Sequence, residues 1–246
     1  MRFENVRKAF GSKVVLEDVG FEVGSGECFF IIGASGVGKS VLIKHLIGLL
    51  RPDGGSIYLD GEEVSRLTEK EFFSVRKKCA MVFQNSTLFD SMTCAENVAL
   101  PLRKHKRLGA KAALKEALER LDTVHMREFA NAYPPELGDG MQKRVAIARA
   151  LTLDPRYVLF DEPTTSLDPV SARRVDQMIR ELCDEVGVTS IVVSHDLRSI
   201  FGIADRICML YKGHVRMLGT PEDFQTTDDP VVQQFINGRA EGPMEV

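Results

Sequence analysis

The stretch GASGVGKS, residues 33–40, decides the fold. Gly33, Gly38, Lys39 and Ser40 fit the spacing G-x-x-x-x-G-K-[ST], and the context is the one that motif needs. An apolar strand-like run, CFFII (28–32), leads in, and a helical pattern, KSVLIKHLIGLL (39–50), leads out. Between them Ala34, Ser35, Gly36 and Val37 carry backbone N–H groups that close around phosphate oxygens, while the helix N-terminus adds partial positive charge. Lys39 then reaches the terminal phosphates and the Ser40 hydroxyl ligates Mg²⁺. The spacing alone arises by chance in roughly one chain of this size per hundred; the strand–loop–helix setting makes it a nucleotide site for ATP with Mg²⁺.

Two further strand-like runs end in polar groups. YVLFDE (157–162) finishes on Asp161 and Glu162, and SIVVSH (190–195) on His195. A strand buried on its flanks presents only its C-terminal end to a ligand, so these groups belong at the sheet edge beside the phosphate loop. Asp161 fits the metal-side acid and Glu162 the base that orients water. A lone histidine is more often structural, but the end of a parallel strand facing the γ-phosphate favours a working role. Gln84, in MVFQNSTLFD (81–90), follows another such run and supplies a neutral ligand to metal or water.

Working outward, apolar strand runs alternate with helical patterns, which implies a parallel sheet of α/β type. The first sixty residues differ. FENVRKAF, VVLEDVGFEV and GSIYLDGEEV alternate over short lengths with glycine turns, predicting an antiparallel sheet. Residues 86–153 lack strand runs and form an inserted helical subdomain. In it KAALKEALERLDTV places Ala113, Leu114, Ala117, Leu118 and Leu121 on one face. The basic cluster at 103–107 is expected to be a solvated loop before that helix. The chain is thus one domain: residues 1–85 and 154–220 form the nucleotide-binding core with its β subdomain, and 221–246 a C-terminal helix and tail.

Composition narrows the partners. A net charge of −3 gives no general pull toward nucleic acid. No apolar run approaches the roughly 20 residues that span a bilayer, so a membrane role must come through a partner. The cysteines at 28, 79, 94, 183 and 208 show no CxxC pairing, as expected for buried thiols in a reducing compartment.

Together these residues resemble the ATPase subunit of ABC transporters, a P-loop NTPase family, over nearly the whole chain. The resemblance implies that Phe10 in KAFGS stacks on adenine, that Gln84 lies in a loop touching a membrane permease, that Asp168 in TTSLDP belongs to the family's D-loop at the nucleotide, and that His195 is the switch histidine. GKSVLIKHLIGLLRPDGG, FQNSTLFDSMTCAENVALPLR and the tail DDPVVQQFINGRAEGP are similar to the Mce/Mla branch, which moves phospholipids between bacterial inner and outer membranes. That implies a peripheral subunit on the cytoplasmic face of the inner membrane, working as a dimer, homodimeric by preference. Its partners would be a permease, a periplasmic lipid-binding MCE protein and a small cytosolic regulatory subunit. The tail would extend over the second ATPase subunit.

One motif departs from the family. The usual L-S-G-G-[QM] stands here as Leu137-Gly138-Asp139-Gly140-Met141. A lost hydroxyl bond to phosphate costs roughly 1.5–3 kcal/mol. A carboxylate about 5 Å from a phosphate charge adds on the order of 3 kcal/mol of repulsion at an effective dielectric near 20. Against this, Asp139 can turn outward, cap the following helix, or hold a left-handed backbone in place of glycine, leaving the amides free. The alternatives left open are an ABC ATPase of another import or cell-division complex, a weakly hydrolysing ATP-gated module, and a heterodimer whose sister subunit supplies the intact signature.

Overall fold

The computed structural model describes residues 1–244. In chain order the elements are β1 (Arg2–Phe10), β2 (Lys13–Glu22), β3 (Cys28–Ile32), α1 (Lys39–Leu46), β4 (Gly54–Leu59), β5 (Glu62–Glu63), α2 (Phe72–Lys78) and β6 (Cys79–Val82). There follow α3 (Cys94–His105), α4 (Ala110–Thr123), α5 (Asp139–Ala150), β7 (Tyr157–Asp161), α6 (Pro169–Asp184) and β8 (Thr189–Val193). The chain closes with α7 (Leu197–Ile203), β9 (Arg206–Tyr211), β10 (His214–Gly219), α8 (Pro221–Thr226) and α9 (Pro230–Ile236).

The larger sheet has the order β10-β9-β3-β8-β7-β6, parallel from β9 to β6 with an antiparallel β10 at one edge. Every residue of β3, β7 and β8 is buried, which is why these strands lack polar alternation. Alternate residues of β3 sort to opposite faces: Cys28, Phe30 and Ile32 join one apolar core, Phe29 and Ile31 the other. Beneath the second face lies the antiparallel sheet, in the order β2-β1-β4-β5. This parallel α/β core with an N-terminal antiparallel sheet is the expected architecture. The consequence for function is that β3, β6, β7 and β8 all deliver their C-terminal ends to one edge.

Between β6 and β7 the chain is helical. Thr93 and Glu96 form a reciprocal capping box at the start of α3. Buried Asn97 ties down the preceding loop through Phe89 and the Met92 carbonyl. Two expectations need correction. On α4, Ala113, Ala117 and Leu121 are buried, but Leu114 is 39% exposed and Leu118 only partly covered. The i, i+4 spacing of the first three aims one narrow stripe at α3 and α5, and Leu114 falls on its rim. The basic cluster is not a loop: Arg103–His105 form the last turn of α3, and Lys106 bonds Glu116 at 2.8 Å and Asp154 at 3.0 Å.

All five cysteines are free and buried. Among the described residues no helix is long and apolar enough to cross a membrane. Of the C-terminal tail, Glu245 and Val246 lie outside the described residues. After α9 it turns back on its own chain. Buried Gln234 accepts from the Met244 amide at 2.7 Å, and Met244 enters the core.

Candidate functional site

The phosphate loop is shaped by close approaches. A Cβ on Gly33 would stand 2.3 Å from the Leu210 carbonyl oxygen, and one on Gly38 within 2.9 Å of Val15 and Leu16 side chains. Both residues have positive φ, so only glycine fits on either count. Gly38 opens α1 without a side-chain cap, which leaves the loop's own amides at the helix N-terminus. Lys39 is buried, and its ammonium donates to Gly33 O at 2.8 Å and Ala34 O at 3.0 Å. Burial pushes its pKa down, while the nearby Glu162 and Asp161 carboxylates oppose that shift.

Ser40 Oγ donates to Asp161 Oδ1 at 2.5 Å, joining the start of α1 to the end of β7 across β8 and β3. Two hard oxygen donors meeting at the mouth of a phosphate loop fit Mg²⁺, which takes few protein ligands and completes its shell with phosphate and water. One residue on, Glu162 adopts φ +51, an uncommon backbone for a branched or long side chain, held by its amide bond to Val193 O at 2.9 Å. The kink turns its carboxylate toward His195, whose Nδ1 lies 2.9 Å from Oε2. Thr165 Oγ1 donates to the same oxygen at 3.0 Å. Glu162 is mostly covered while the His195 side chain is 62% exposed, so the pair faces outward through the histidine.

Lys39, Ser40, Asp161, Glu162 and His195 therefore come together by direct contact or neighbouring charge. Gln84 is exposed, and no hydrogen bond of its side chain joins it to that group. It lines a cavity of about 330 Å³ with Asp139, Gln142, Lys143, Thr165 and Ser166. Its backbone carbonyl and that of Phe83 accept from Lys143 Nζ at 2.5 and 2.9 Å. Lys143 is 2% exposed, and burial pushes its pKa down to about 8, against the opposing charges of Asp139 and Asp161. Phe10, 47% exposed, sits at the β1–β2 hairpin, whose β2 packs on Gly38; the Lys8 ammonium is 5.4 Å from its ring.

The 138–140 segment takes an arrangement other than the left-handed one considered above. Gly138 is the N-cap of α5 with an extended backbone, φ −68, and Asp139 is the first residue of the helix. Asp139 is exposed, and acidic charge in a first helical turn is stabilising. It makes no side-chain cap bond. A Cβ at Gly138 would meet nothing within 4 Å, whereas one at Gly140 would stand 2.7 Å from Ser171 Cβ and Oγ. Asp168, the N-cap of α6, accepts from the amides of Val170 and Ser171 at 2.9 and 3.0 Å, and the hydroxyl and amide of Ser171 hold its carboxyl below the usual range.

Two residues at this site escaped the sequence reading. Thr165 was visible only as part of TTSLDP, three residues beyond Glu162; a turn forced by positive φ is what brings it back. Lys143 carries no local sequence signal of its own, and only the burial of α5 against the end of β6 turns it inward.

The family profile described as ABC transporter matches residues 16–165. The chain is 38% identical over 241 residues to the probable ribonucleotide transport ATP-binding protein mkl of Mycobacterium leprae, covering 98% of this chain and 70% of that one. It is 37% identical over 234 residues to the intermembrane phospholipid transport system ATP-binding protein MlaF of Haemophilus influenzae, covering 95% and 89%. It also superimposes on a dimeric post-hydrolysis structure of the ATP-binding cassette MJ0796 bound to ADP and Pi, with a TM-score of 0.81 and 33% identity, covering 89% of this chain and 98% of that one.

Proposed function

The chain belongs to the ABC transporter family as an ATP-binding, ATP-hydrolysing subunit, and from that premise we propose that it powers phospholipid movement between bacterial inner and outer membranes. The MlaF relative carries that name over nearly its full length. The subunit works from the cytoplasmic face of the inner membrane, bound to a permease that acts with a periplasmic lipid-binding MCE protein and a small cytosolic regulatory subunit. Cassettes of this family pair with one another, and here two copies pair head to tail. Each phosphate loop then faces the other copy's 137–141 segment.

In this reading the amides of residues 33–40 and the Lys39 ammonium hold the β- and γ-phosphates, and Phe10 stacks on adenine. Ser40, Asp161 and Gln84 would hold Mg²⁺, which when bound neutralises charge developing on the phosphates. Glu162 accepts the proton of the attacking water, and His195 positions the γ-phosphate against it. Gly138, Asp139 and Gly140 offer backbone amides to the other copy's γ-phosphate, with Asp168 placed beside them at the start of α6. Opening after hydrolysis passes to the permease through the loop around Gln84.

The observation that carries this reading is the Glu162–His195 contact at 2.9 Å beside the phosphate loop. The test is steady-state ATPase of the chain with its permease, beside Glu162→Gln and the double change Gly138→Ser, Asp139→Gly. Activity abolished by the first and barely altered by the second supports hydrolysis with backbone amides alone. Near-zero activity rescued by the double change would replace it with an ATP gate, or with a site completed by a sister subunit.

A further inference from the structure

His195 is a loop residue on the exposed end of β8, yet its ring must meet Glu162 within hydrogen-bonding distance. What fixes it lies one residue on. Asp196 caps α7 through Oδ1, which accepts from the Arg198 amide at 2.9 Å, and its own amide donates to Ser194 Oγ at 3.0 Å. Its other oxygen, Oδ2, lies 3.1 Å from Ser199 Oγ and 3.7 Å from Arg173 Nη2. Arg173 and Ser199 are in turn shared with a second carboxylate, Asp176, on α6. Asp176 Oδ2 is 3.0 Å from Ser199 Oγ and 3.1 Å from Arg173 Nη1.

The chemistry of Asp176 is unusual for a residue with only a packing role. Its side chain is 3% exposed, and Oδ1 is buried with no hydrogen-bond partner. An unsatisfied buried carboxylate oxygen costs stability, and an apolar residue of like shape would avoid that cost. Ser199 has one hydroxyl hydrogen for two acceptors, and Arg173 spans both acids. Ser199 therefore donates to one acid at a time, while Arg173, on α6, faces both and links that helix to the turn carrying His195. The N-terminal end of α6, about two turns before Asp176, is capped by Asp168. The helix therefore joins the segment read above as facing the second subunit to the histidine beside the γ-phosphate.

We propose that Asp176 is a positioning residue for His195: it orients Arg173 and Ser199 so that they clasp Asp196, and thereby sets the histidine against Glu162. The proposal rests on the ATPase reading above. It implies that movement of the Asp168 turn, on pairing of two subunits, is carried along α6 to the switch histidine.

The test uses the full chain assembled with its permease. Glu162→Gln, which abolishes turnover if the ATPase reading holds, checks that reading separately. Asp176→Asn keeps the shape and an acceptor for Ser199 but removes the charge that orients Arg173. It is expected to lower kcat about tenfold with KM for ATP unchanged, as small misplacement of a reacting group does. Ser199→Ala should give a smaller loss of the same kind. In a His195→Ala background Asp176→Asn should cost nothing further. Unchanged kcat in both variants, a KM that rises in step with the loss, or full additivity with His195→Ala would each overturn the proposal.

Discussion

In the proposed pair two stretches of this chain meet the same phosphate, and they are finished to different degrees. At the strand edge, nearly every working group already has a partner in its own subunit: Lys39 on loop carbonyls, Ser40 on Asp161, Glu162 between Thr165 and His195. At the start of α5, Gly138 has open space where a side chain would stand, and Asp139 is exposed with no side-chain cap bond. The first region is preorganised by its own fold. The second is a helix N-terminus whose first amides have no intrahelical acceptor, and in the proposed pair the other copy's nucleotide completes it. An altered side chain is accordingly cheap in the second and ruinous in the first.

The widest separation comes from Glu162→Gln, which should reduce steady-state ATPase by about 10²–10⁴-fold, the range for loss of a general base, with nucleotide binding retained. Turnover near the native rate would break the comparison at its stronger side.

Lys143 joins the two regions, and its removal tests the joint. Because burial lowers its folded pKa to about 8 from 10.5, the folded chain binds that proton less tightly than the unfolded one. Stability therefore rises as pH climbs from about 8 to 10.5, by on the order of 3 kcal/mol. Lys143→Met should lack that rise, measured as the difference in denaturant midpoint between pH 7.5 and 10 relative to the native chain. A parallel pH dependence in both would show that the ammonium is not buried on the Phe83 and Gln84 carbonyls.

Within the second region the two glycines that flank Asp139 should behave oppositely. Gly140→Ala drives a Cβ toward Ser171, and overpacking of that kind should outweigh its helix propensity, for a net loss of about 1–2 kcal/mol in thermal or chemical unfolding. Gly138→Ser should be neutral within about 0.5 kcal/mol, as for a surface change. The smallest effect is expected for the double change Gly138→Ser, Asp139→Gly, altering ATPase by less than about threefold, the scale of an exposed charge of under 1 kcal/mol. A large gain would mean that the Asp139 carboxylate reaches the phosphate after all.

The legibility of these regions in the sequence follows the same division. The strand edge was readable because its chemistry is local: a glycine spacing, an apolar run ending in two acids, another ending in histidine. Each constrains its own neighbourhood, and sheet order alone brings them together. Asp139 was not readable in the same way, because its effect depends on backbone angles and neighbours. The sequence allowed a left-handed backbone, and the structure has an ordinary helix start. Leu114 and the 103–107 cluster were misplaced for a related reason. Apolar or charged type fixes a tendency to be buried or wet, but the width of the stripe on α4 is set by how closely α3 and α5 approach. Thr165, Lys143 and Asp176 lay deeper still, since each gains its role from a residue on another element.

The burial of all five thiols has a practical consequence. With Cys28, Cys79, Cys94, Cys183 and Cys208 shielded from solvent, a single cysteine added on the surface is a selective handle for maleimide dyes without first stripping the native ones. One fluorophore at Ser166, beside Asp168, and a second on the neighbouring copy would turn opening and closing of the pair into a distance that can be followed molecule by molecule.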